Sequence, residues 1–137
     1  MPTPRETAIF AIDRYYSAFN AGDKVGILAC LADTVAHDIN QGGREIGKAG
    51  FAAFLDRMDI AYAEQLTDIV VMANDIGTRA AAEFIVQGVY KTADEGLPPA
   101  HGQKYELPAG AFFELSDGLI TRVSVYYNLT DWISQVS

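Results

Sequence analysis

The chain has 137 residues, with 10 Lys+Arg against 18 Asp+Glu and a formal net charge of −8. The length suits one domain, residues 1–137, with a core of its own. The scarcity of positive charge argues against nucleic acid and anionic membranes as partners, and the single cysteine, Cys30, excludes an internal disulfide.

The first residues hold no apolar signal core, and no apolar run approaches the roughly 20 residues of a membrane span, so a cytoplasmic protein is expected. Thr3-Pro4-Arg5-Glu6 predicts a helix start: Thr3 caps, Pro4 suits the first turn and Glu6 completes a capping box. Ala8, Ile9, Ile12, Tyr15, Tyr16 and Phe19 then share one face, and Asn20-Ala21-Gly22 ends the helix. Asp23 caps a second, short helix through Leu31. A strand is expected at Thr34–Asn40, a turn at Gln41-Gly42-Gly43, and a return strand at Arg44–Ile46. A third helix runs from about Lys48 to Tyr62, with Phe51, Phe54, Leu55, Met58 and Tyr62 on one stripe. The remainder reads as a meander of strands at Leu66–Ala73, Thr78–Thr92, Gln103–Leu115 and Leu119–Asn128. Thr130 or Asp131 caps a last short helix that contains Trp132. Helices followed by consecutive antiparallel strands predict an α+β fold, a strongly curved sheet with about three N-terminal helices enclosing a pocket.

Metal and cofactor signals are absent. His37 and His101 lie in no ligand-spaced cluster, and there is no phosphate loop, dinucleotide fingerprint or nucleophile elbow, so no metal and no cofactor are expected. Cys30 sits in the apolar run Ile27–Leu31 and reads as core. Arg79 and Glu83 share a strand face and are expected to pair, while Asp94 and Glu95 read as loop charges. The informative segment is Val35-Ala36-His37-Asp38-Ile39-Asn40, where polar groups interrupt an apolar strand. Alternation puts Ala36, Asp38 and Asn40 on one face and Val35, His37 and Ile39 on the other, so His37 and Asp38 share a cavity only if a bulge intervenes. His37 therefore reads either as a structural histidine or as a pocket residue. Tyr15, Tyr16 and Phe19 read mainly as core, with the tyrosine hydroxyls available as donors.

The run Arg14-Tyr15-Tyr16-Ser17-Ala18-Phe19-Asn20-Ala21-Gly22-Asp23, followed by Gly26-Ile27 and Leu31-Ala32-Asp33, resembles the opening of ketosteroid isomerases. Asp117-Gly118-Leu119-Ile120 and Arg122-Val123, running into Tyr126-Tyr127-Asn128 and Trp132, are similar to the final strand of the nuclear transport factor 2-like superfamily, which includes SnoaL-like polyketide cyclases. The whole chain looks most like the ketosteroid isomerase-related subgroup. The resemblance implies a cone-shaped α+β barrel, with Asp38 as general base and Tyr15 as oxyanion donor in an isomerase- or cyclase-like enzyme acting on an apolar carbonyl compound. Around them, Tyr16, Phe19, Met58 and Tyr62 from the helices would line the pocket. His37, Asn40, Ala111, Phe113, Val125 and Tyr127 would do so from the strands. The second oxyanion acid of those isomerases has no counterpart near Gly110-Ala111-Phe112. A non-catalytic binding module and a hydrolase or hydratase on the same scaffold are the alternatives. A homodimer is also expected, through an outer sheet face bearing Ile120, Arg122, Ser124 and Tyr126.

Overall fold

A computed structural model describes all 137 residues. In chain order the elements are α1 (Pro4–Ala21), α2 (Lys24–Ala29), β1 (Leu31–Asp38), β2 (Arg44–Ile46), α3 (Lys48–Ala61), β3 (Tyr62–Ala73), β4 (Arg79–Tyr90), β5 (Gln103–Ser116), β6 (Leu119–Tyr127) and α4 (Leu129–Val136). The six strands form one curved, mixed sheet in the order β2-β1-β6-β5-β4-β3. Every neighbouring pair is antiparallel except β1 and β6, which run parallel. With β2 and β3 left as edges the sheet stays open, so the expected barrel does not close. Bulges bend it: register shifts between Thr67 and Val70, where Asp68 takes φ 53°, and between Glu114 and Leu115.

The helix ends follow from their caps. The Thr3 hydroxyl accepts from the Glu6 amide at 3.1 Å, the Glu6 carboxylate accepts from the Thr3 amide at 3.0 Å, and Gly22 closes α1 at φ 67°. α3 passes into β3 without a loop, because Tyr62 leaves the helix directly into extended backbone at φ −133° and ψ 148°. β3 thus begins four residues before the expected Leu66. β1 begins at Leu31, inside the expected second helix, because α2 already ends at Ala29. Asn128, rather than Thr130 or Asp131, caps α4 by accepting from the Asp131 amide at 3.0 Å.

One core lies between the inner sheet face and the helices. α1 buries Ala8, Ala11, Ile12, Tyr15 and Tyr16 there. The inner face takes alternate residues: Ala80 to Tyr90 at even positions on β4, and Tyr105 to Leu115 at odd positions on β5. The register shift at Leu115 also turns Ile120 inward, where it is fully buried, so Ile120 does not join Arg122, Ser124 and Tyr126 on the outer face. β3 is an edge strand whose Leu66 amide and carbonyl would lack partners. Asn20 supplies both: its Oδ1 accepts from the Leu66 amide at 2.9 Å and its Nδ2 donates to the Leu66 carbonyl at 3.0 Å.

Gly88 fixes one row of the inner face. Glu64 on β3, Gly88 on β4 and Tyr105 on β5 stand in register. With no side chain at Gly88, the Tyr105 ring lies across it, and the hydroxyl donates to Glu64 Oε2 at 2.5 Å. A Cβ at position 88 would collide with the Tyr105 ring and hydroxyl. Gly88→Ala is therefore expected to cost about 1–3 kcal/mol, read as a lower urea midpoint at unchanged m-value. A Gly88→Ala/Tyr105→Ala double variant should lose less than the two single losses summed.

Candidate functional site

The inner face divides into a packed end and an open end. α1 fills the packed end. Tyr15 and Tyr16 meet Phe113 edge-on at 5.8 and 6.0 Å, and Tyr16 meets Phe84 at 5.3 Å. Tyr15, Tyr16, Ala111 and Phe113 are all buried in the core cluster, and Phe19 packs against it. Burial pushes the Tyr15 hydroxyl well above the ordinary tyrosine range, and the neighbouring Cys30 adds to this. Four of the expected pocket residues are thus packing residues.

Asp38 lies on the other side of the sheet. It is in register with Ser124 of β6 and Arg44 of β2 on the outer face, while Val35 and His37 point into the core. Arg44 grips the carboxylate through Nε at 2.6 Å and Nη2 at 3.0 Å, and the Ser124 hydroxyl donates at 2.5 Å. Arg122 continues the row, donating to Ser124 Oγ at 2.6 Å and to Glu114 Oε2 at 2.8 Å. Arg79 closes it on Glu114 at 3.2 Å, and so does not pair with Glu83 as expected. The hydrogen bonds from Arg44 and Ser124 hold the Asp38 carboxyl down to about 2. A carboxylate that is so weak a base and stands on the face opposite Tyr15 does not form the expected pair with it. Asp38 instead borders a shallow groove of about 350 Å³ along the β1–β2 turn, shared with Asn40, Arg44 and Tyr126.

The open end gathers the inward ends of β1, β3, β5 and β6. Here Asn40, Met58, Tyr62, Val125 and Tyr127 are half-buried, and so is Glu64, which the sequence pattern did not single out. Placing the start of the strand at Leu66 hid it; a strand from Tyr62 alternates Tyr62, Glu64 and Leu66 inward. Burial raises the Glu64 carboxyl above the ordinary glutamate value, against the opposing hydrogen bond from Tyr105. Tyr62 donates to Asp94 Oδ2 at 2.9 Å, so Asp94 is no free loop charge. Trp132 of α4 roofs Tyr62, Tyr90 and Tyr105 at centroid distances of 6.0, 4.9 and 5.8 Å. The Tyr127 phenol is pushed up, first by burial and then by the Glu64 and Asp94 charges, while the Asn40 side chain opposes this. Asn40 Nδ2 also donates to the Tyr127 carbonyl at 3.3 Å.

His37 is buried and faces inward, between Phe51 and Phe54 of α3 at 4.5 Å each. Burial lowers its proton affinity, Glu45 and Asp38 raise it, and Arg57 lowers it. No three His, Cys, Asp or Glu side chains converge in a metal-holding group. No helix is long and apolar enough to cross a membrane.

An open curved sheet, helices over its inner face and a polar, aromatic mouth make a fold of the nuclear transport factor 2-like type. The chain belongs to the SnoaL-like domain family, whose pattern matches residues 12–123. A candidate polyketide cyclase from Xanthomonas campestris pv. campestris is 61% identical, covering 98% of this chain and 100% of its own, with a TM-score of 0.95. One from Pseudomonas putida KT2440 is 55% identical over 100% of both chains, with a TM-score of 0.93. An LEH-like epoxide hydrolase of M. tuberculosis shares the fold at 19% identity and a TM-score of 0.79, covering 99% of this chain and 89% of its own. No curated protein matches the sequence.

Because the folded pKa of Asp38 is depressed, its contribution to stability is complete above the ordinary value of 3.8 and is lost as pH falls through about 2. Asp38→Asn should therefore cost about 1 kcal/mol near neutral pH, after allowance for solvent screening. The gap to the wild type in urea midpoint should close as pH approaches about 2.

Proposed function

We propose that the chain is an isomerase- or cyclase-type enzyme that moves a proton next to the carbonyl of a small molecule held at the open end. Glu64 takes the role that the resemblance implied for Asp38. The observation that carries this reading is the Glu64 carboxylate: inward, half-buried, raised in proton affinity and oriented by the Tyr105 hydroxyl. Carboxylates raised toward the working pH transfer protons in both directions more effectively than fully ionised ones. Tyr127 is the hydroxyl best placed to meet a developing enolate, since Tyr62 and Tyr105 donate to Asp94 and Glu64. The similarity to candidate polyketide cyclases supports a carbonyl substrate, because cyclisation and isomerisation share the enolate-forming step. The single free and buried Cys30 supports a cytoplasmic setting.

A β,γ-unsaturated cyclic ketone serves as the probe, its conjugation followed by ultraviolet absorption. Glu64→Gln should lower turnover by about 10²–10⁴, while Asp38→Asn stays within a few-fold of wild type. Retention of full turnover by Glu64→Gln would remove Glu64 from the mechanism, and saturable binding of the ketone without conversion would favour a binding module. The wild-type rate should rise with pH through a pKa above the ordinary glutamate value, since the base must be ionised. The same raised pKa means that ionised Glu64 weakens the fold as pH rises. Glu64→Gln, which keeps an acceptor for Tyr105, should be at least as stable as wild type near neutral pH.

We also propose a homodimer through the outer face, where Val70, Met72, Phe112 and Tyr126 are each about half exposed and Phe112 meets Tyr126 edge-on at 5.8 Å. Light scattering at micromolar concentration should give twice the chain mass, and Phe112→Glu should give the monomer.

A further inference from the structure

We propose that a polar groove between α1 and β3, separate from the open end, binds a small primary ammonium ion. Asp13, Tyr16, Ser17 and Asn20 recur at the three- and four-residue spacing that puts them on one stripe of α1. The stripe lies between the buried face of the helix and its solvent face. Together with Ile69 of β3 these four residues line a groove of about 190 Å³. The bulge between Thr67 and Val70 shapes the far wall, because Ile69 packs against the core while Val70 stays outward. Asn20 fixes how close the helix stands to the strand, through its two bonds to the Leu66 backbone at 2.9 and 3.0 Å.

The groove is lined by unspent hydrogen-bonding groups. Tyr16 is only 4% exposed, and Tyr15, Phe84 and Phe113 hold its ring at 5.1, 5.3 and 6.0 Å. Its hydroxyl makes no hydrogen bond within the protein and is not among the side-chain atoms sealed off without a partner, so it opens into the groove that the residue lines. Burial pushes this phenol well above the ordinary tyrosine range, which keeps it a neutral hydroxyl able to accept as well as donate. Asp13 enters no ion pair, and no Lys or Arg lines the groove, so its carboxylate is the one formal charge there. Ser17 adds a second unbonded hydroxyl one turn along from Asp13. A carboxylate and two hydroxyl oxygens offer three acceptors around one negative charge. Their complement is a positive ion with three N–H donors, a primary ammonium. Ile69 meets the alkyl part of such an ion. At roughly 30 Å³ for each water-sized group the volume suits a short-chain amine.

Propylammonium chloride serves as the probe, titrated at neutral pH and followed through the backbone amide resonances of Ser17, Asn20 and Ile69. Saturable shifts in the millimolar range are expected. Asp13→Asn removes the charge at an exposed position, and Tyr16→Phe removes only the hydroxyl and keeps the packed ring. Each should weaken binding about tenfold. Tetramethylammonium carries the charge without an N–H, and 1-propanol has the chain without the charge. Both should bind at least about tenfold more weakly than the probe. Shifts that stay linear with concentration would overturn the proposal, since water then fills the groove. Equal saturation by tetramethylammonium would reduce the effect to the field of Asp13, and equal saturation by 1-propanol would reduce it to an apolar crevice; either result overturns the proposal. So does unchanged affinity in either variant. None of the groove residues belongs to the open end, so turnover of the probe ketone by Glu64→Gln does not bear on the outcome.

Discussion

Unbroken alternation over the last three residues of β1 governs the chemistry of this protein. Ala36, His37 and Asp38 pair with consecutive residues of β6 without a bulge, so neighbouring ionisable groups must leave on opposite faces. Once Asp38 is outward, Arg44 and Ser124 hold it there, and His37 is delivered to the apolar side. A single inserted residue in this stretch would exchange the two roles. The network that holds Asp38 is also a positional lock, because it joins five strands from β2 to β4 through register partners alone.

The architecture was legible because its signals are local. Thr3, Pro4 and Glu6 define the start of α1, Asp117-Gly118 the last hairpin, and the stripe from Phe51 to Met58 the third helix. The site was legible only in part. Of the expected lining residues, Asn40, Met58, Tyr62, Val125 and Tyr127 gather at the open end, whereas Tyr15, Tyr16, Ala111 and Phe113 are buried with α1, and His37 is buried against α3. Which inward residues keep contact with solvent depends on how far α1 reaches along the sheet, and no periodicity encodes that. Glu64 was hidden because α3 runs into β3 with no loop to announce the strand. The Glu64–Tyr105 bond joins residues on strands that do not pair with each other, across a glycine that reads in sequence as a weak point.

The two ends of the inner face carry opposite electrostatic strategies. At the packed end, tyrosines are buried among aromatic rings, where desolvation suppresses their ionisation and leaves them inert. At the open end, the same burial acts on the Glu64 carboxylate and on phenols that retain some contact with solvent, and raises the proton affinity of each. The outer face shows the converse: a carboxylate saturated with donors becomes a permanent anion, suited to holding strands together and unsuited to exchanging protons.

The Asn20 side chain has a bearing on how the chain avoids its own copies while folding. It occupies the edge of β3 at Leu66 in the way another strand would, and it does so from α1. A molecule whose sheet has formed before α1 docks therefore presents a free templating edge. The arrival of the first helix is thus also the event that ends the risk of strand-by-strand polymerisation at that edge.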